Sequence, residues 1–288
     1  MGATPLPIDT ARKLERISLR KDTGEISPFF LLDLYSTLQE GIEFGNHIWH
    51  MGTSHDQVFV QRFKEGIHRV TTRSGESKGA AHTLRGIFAL GVKKKISECE
   101  GILPPPVRER MFSIAVYGQQ ELAHGLLLLP PMIKDTLLSD EKLKEVAEGW
   151  AKDFAGANAI ARVAYAFLKQ NVRVQFPSLR DATFYQGDLL AEAEDNLLYL
   201  QIVGRRKSQE TRIFDLDRYP EKIWDAEIYS ALLKFRESAR RSQTKGTRIF
   251  IEVGLGASRP TELACPNVQR AVGQLLDNIC KQELALAL

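Results

Sequence analysis

Cysteine is scarce in this chain. It has three, Cys99, Cys265 and Cys280, widely spaced and without a C-x-x-C pair. That excludes a disulfide framework and predicts a reducing, cytoplasmic setting. Long apolar runs are also missing. The longest, HGLLLLPPMI from His124 to Ile133, is interrupted by two prolines and falls short of the roughly 20 residues of a membrane helix. The first residues, MGATPLPIDTARKLERISLRKD, lack a signal-peptide core, so no membrane partner is expected. Charge of one sign does not dominate either: 39 Lys plus Arg stand against 36 Asp plus Glu, a net of +3. Any basic surface must therefore be local.

Several nucleotide and nucleophile motifs are absent. There is no G-x-x-x-x-G-K-[ST] and no G-x-S-x-G. GLGASRP, Gly254 to Pro260, lacks the third glycine of a dinucleotide loop, and Pro260 interrupts any following helix. An ordinary strand-to-helix turn is the reading there. No internal repeat or low-complexity segment is present.

What is there includes 43% apolar residues, enough for a large core. The first 138 residues read as a mainly helical region and a possible recognition domain. A helix is predicted from Ser27 and Pro28, another over Thr83–Ile102 after a loop at 73–82, and a third over Pro105–Leu129. DQVFVQRFKEGIHRVTT, Asp56 to Thr72, fits strand or helix. Residues 139–288 read as an α/β domain. Ser139–Gln170 has helical period, with Gly156 as a possible break. Strands follow at 171–178, in GDLLAEA and in NLLYLQIVG, then a helix over Asp225–Gln243, a strand over Gly246–Leu255 and a closing helix from Pro266. The crossover through 225–243 is long enough for parallel pairing. The whole is a mixed central sheet flanked by helices.

Gly187-Asp188 opens one strand, and Gln201-Ile202-Val203 lies on the next, followed by Arg205. This order resembles the core of the PD-(D/E)xK nucleases, the restriction-endonuclease-like fold. In that family an Asp at the start of the second core strand joins a (D/E)-x-K tripeptide on the third. Two carboxylates hold Mg²⁺ against the scissile phosphate, and the lysine helps place the water. The resemblance implies Asp188 and Gln201 as metal ligands and catalytic residues, with Glu192, on the Asp188 face of its strand, as a substitute carboxylate. Glu148 is a more distant candidate. Gln201 offers only a neutral amide oxygen, and Val203 stands at the lysine position. Two functions follow: a metal-dependent nuclease, or a non-catalytic nucleic-acid-binding or scaffold protein that keeps a degenerate nuclease fold. A carboxylate that merely caps a strand is the structural alternative for Asp188.

Basic residues follow the hairpin. Arg205, Arg206 and Lys207 close the strand. Lys234, Arg236, Arg240, Arg241, Lys245 and Arg248 lie in the next helix and its exit, with Glu237 between them. They form a candidate nucleic-acid surface, DNA in the first place, or else a solvated helix end. A homodimer is one assembly this allows. Lys93-Lys94-Lys95 reads as a solvated face. His47, His50 and His55 invite a zinc reading but lack an H-E-x-x-H acid or nearby cysteine. His68, His82 and His124 are scattered and read as surface or capping groups.

Overall fold

The computed structural model describes residues 5–6, 28–50, 56–73, 78–98, 105–129, 151–178, 182, 187–193, 196–215, 226–241, 246–256 and 262–286. Among these residues are seven helices and six strands. The chain divides into two compact units, Ile17–Ala157 and Met1–Arg16 with Asn158–Leu288. The boundary falls inside one helix, later than the 138/139 boundary read from the sequence.

The described part of the first unit is helical: α1 (Pro28–His50), α2 (Asp56–Arg73), α3 (Lys78–Glu98), α4 (Pro105–Leu128) and the first residues of α5 (Ala151–Lys169). The ambiguous segment 56–72 is a helix. Val58 and Val60 sit exposed, while Gly66 and Val70 face inward, so burial follows the helical period. α3 begins in what the sequence suggests is a loop, because Gly79 and Ala80 are buried and Gly79 lies against Leu128 and Leu129. Its buried residues include Leu84, Ile87, Phe88, Leu90 and Val92, as expected of a central helix.

α3 and α4 form the most extensive helix pair, and glycines let their backbones touch. A Cβ on Gly86 would lie 2.7 Å from Leu122 N and 3.0 Å from Gly118 O. At the far end, Lys93 Nζ reaches Asp153 Oδ2 of α5 at 2.6 Å, and Gln119 Nε2 of α4 donates to Asp153 Oδ1 at 2.8 Å. Lys93 is thus in an ion pair rather than on a solvated face. Gly156 does not divide α5, which runs continuously past Gln119.

In the second unit, α5 is buried from Asn158 to Leu168. It ends in a left-handed Asn171 with φ 60°. Val172 N donates to Phe167 O at 3.0 Å and Asn171 N to Leu168 O at 3.1 Å, the paired bonds of a Schellman cap. Strands β2 (Arg173–Gln175), β3 (Leu189–Ala193) and β4 (Asn196–Arg205) run as an antiparallel meander. β5 (Arg212–Asp215) follows. Helix α6 (Ala226–Arg241) then returns the chain to β6 (Thr247–Gly254), parallel to β4 and antiparallel to β5. With β1 (Pro5–Leu6), the sheet order is β1-β2-β3-β4-β6-β5. Alternation in β3 and β4 buries Leu189, Ala191, Leu198, Leu200 and Ile202 on one face. The opposite face carries Tyr199, Val203, Phe214 and Phe250, packed with Leu232 and Phe235 of α6. Helix α7 (Pro266–Leu286) closes the chain. No helix among the described residues is long and apolar enough to cross a membrane.

Candidate functional site

The hairpin register pairs Leu189 with Leu200, which sets Asp188 beside Gln201 at the mouth of β3. Asp188 N donates to Leu200 O at 2.7 Å. Its Oδ2 accepts from Ile202 N at 2.6 Å and from Gln201 Nε2 at 2.8 Å. The carboxyl therefore extends the ladder one step beyond the strand. Burial lifts Asp188 from its ordinary 3.8 to about 7, against the opposing pull of the Ile202 N–H bond.

The expected residues converge only in part. Asp188 and Gln201 meet. Glu192 lies four residues further along an extended strand, about 13 Å away. It accepts from Gln175 Nε2 at 2.7 Å and pairs with Arg173 at 3.3 Å. Val203 packs on the Leu232, Phe235 and Phe250 cluster, so the position of the family lysine is apolar and filled. Glu148 lies outside the described residues.

Arg205 Nε pairs with Glu252 Oε1 at 3.2 Å. Glu252 is buried on β6, in register with Val203 and Arg212. Arg248 belongs to the interior rather than to a basic surface. It is buried, its guanidinium 5.0 Å from the Tyr199 ring centroid, because the parallel register sets these two residues side by side. Arg206, Lys207 and Lys234 are exposed, and Arg236 is half-buried. Arg240 and Arg241 fall on α6, but their side chains, and all of Lys245, lie outside the described residues.

The sequence reading missed Glu252, although a single acid inside the apolar run IFIEVG is a usable signal. It also missed a polar cluster in the helical unit. There Glu121 Oε2 accepts from Arg85 Nε at 2.7 Å and sits 2.8 Å from His82 Nδ1. His47 contacts Arg62 across α1 and α2. The His50 side chain and His55 lie outside the described residues. Among the described residues, no three His, Cys, Asp or Glu side chains are set to hold a metal ion.

The donors that could face an ion at the hairpin are one carboxyl that burial biases toward its neutral form and one uncharged amide. That is a poor set for Mg²⁺, which takes hard, charged oxygen ligands in octahedral array. The arrangement is chemically a capped strand with a carboxyl–amide pair at its mouth. No protein-family model, curated protein or solved structure matches the chain.

Proposed function

We infer that the protein binds nucleic acid, DNA in the first place, through an α/β unit of restriction-endonuclease-like ancestry whose hydrolytic site has lost turnover. The antiparallel meander followed by a helix and a parallel strand supports the ancestry. The observation that carries the loss of turnover is the environment of the hairpin pair. Asp188 Oδ2 is occupied by Ile202 N–H and the Gln201 amide, and a half-buried Val203 packs against the core where a water-positioning lysine is needed. Exposed Arg206 and Lys207, in the turn after β4, are the phosphate contacts of this reading.

A second reading, a Mg²⁺-dependent nuclease, is favoured by the direct contact of Asp188 with Gln201. One experiment separates the two. Plasmid DNA, single-stranded DNA and RNA are incubated with Mg²⁺, Mn²⁺ or EDTA beside Asp188→Ala, and retention is measured against salt. The expected result is no cleavage and salt-sensitive retention. The Arg206→Ala/Lys207→Ala double variant should flatten the log K against log[salt] slope by about 2. Metal-dependent cutting that disappears in Asp188→Ala would establish the nuclease instead. Absence of retention at low salt would remove nucleic acid as the partner.

A further inference from the structure

The helical unit holds ionisable side chains that the proposed function does not use. His82 and Arg85 on α3 meet Glu121 and His124 on α4. The two imidazole rings stack with centroids 3.9 Å apart and planes at 28°. Arg85 Nη2 lies 2.8 Å from His82 Nδ1. The Glu121 oxygen beside His82 is the one that accepts from Arg85, so a single carboxylate answers both.

Burial and the Glu121 charge raise the Tyr117 phenol, which stays neutral. Phe63 of α2 meets that phenol edge-on with an uncharged ring. From α5, the Asp153 carboxylate is held by Lys93 and Gln119. α1 meets α3 around Phe88 and Val92.

The helices have no slack at this end. A Cβ on Gly125 would lie 2.9 Å from Thr83 N, and one on Gly79 would lie 3.0 Å from Leu128 C. Packing this close yields by separation rather than by gradual deformation.

We propose that the α3–α4 seam is an acid-operated latch, in which proton uptake at His124, stacked on His82, parts the two helices at their Gly79–Gly125 end. Burial first, then the charges of His82 and Arg85, push His124 down from 6.5 to about 3. The shut seam holds His124 neutral, and the parted form takes the proton first. Stability of the shut form is full above pH 6.5 and is lost as pH falls from there toward 3. Between pH 7.5 and 5 the parting equilibrium grows roughly 30-fold.

The test is hydrogen–deuterium exchange on the full chain at those two pH values, corrected for intrinsic exchange. Peptides covering 79–86 and 118–125 should lose protection roughly 30-fold at the lower pH. His124→Phe keeps a ring over His82 but binds no proton, and should show no such loss. Equal protection at both pH values, or the same loss in His124→Phe, overturns the latch. Should that variant not fold, a proton NMR titration of His124 in the natural chain decides. A resonance that stays neutral until the seam amides exchange supports the latch. One that titrates near 6.5 while they remain protected refutes it.

Discussion

Asp188→Asn should make the α/β unit more stable in alkaline solution and leave it unchanged in acid. The wild-type carboxyl titrates near 7 in the fold against 3.8 for an ordinary Asp, so the folded state binds the proton more tightly. The stability this contributes is complete below pH 3.8 and is lost as pH rises through 7. A shift of about three units corresponds to ~4 kcal/mol for a sealed group. The Asp188 side chain is only half-buried, and solvent screening reduces the expected cost to ~2 kcal/mol at pH 8. Asparagine is uncharged and nearly isosteric. Its oxygen can accept from Ile202 N–H, and a turned Gln201 amide can meet its NH₂ group. The assay is urea unfolding of both proteins at about pH 3, below the ordinary Asp value, and at about pH 8, with amide exchange in β3 and β4 reporting the α/β unit. The variant should gain about 2 kcal/mol at pH 8 and almost nothing at about pH 3. Lower stability at pH 8, or the same difference at both values, would refute the argument that desolvation disfavours the Asp188 carboxylate in the fold.

Two further expectations concern packing. Gly86→Ala puts a methyl against the backbone at Leu122 N and Gly118 O. It should cost about 1–2 kcal/mol net of the helix-propensity gain. Gly273→Ala meets nothing closer than Gln170 Nε2 at 3.9 Å and should stabilise by about 0.5–1 kcal/mol; chemical denaturation of the two variants reads both signs. Asp153→Ala strands Lys93 and Gln119. It should cost about 2–3 kcal/mol, seen as a thermal shift of the helical unit.

Local signals carried the second half of the chain. The β3–β4 hairpin is legible because buried Leu and Ala alternate along its two strands. That register alone sets Asp188 opposite Gln201. The β4–β6 pairing is legible because α6 separates two apolar strands by a crossover length. β5 escapes notice since its four residues, RIFD, begin and end in charge. The partners of Glu192 and Arg205 depend on cross-strand registers with β2 and β6, which no local pattern encodes. Arg248 reads as a surface cation until its register beside Tyr199 is known. The His82, Arg85, Glu121 and His124 cluster joins residues roughly 40 apart, and each looks like an isolated polar group along the chain. The spacing of Gly79 with Gly86, and of Gly118 with Gly125, is the one sequence trace of that seam: seven residues bring each pair to one helix face.

The margins of the sheet bear on how the chain behaves when concentrated. β6, buried along most of its length, lies inside the sheet, whereas the two outermost strands, β1 and β5, span only two and four residues. A rim that short offers an incoming chain few open amides and carbonyls to copy, and Arg212 adds an exposed charge on the β5 side. Among the described residues, sheet-to-sheet growth into fibrils has no long template, although the interior strand IFIEVG, taken alone, has the apolar β-rich character of an aggregating segment.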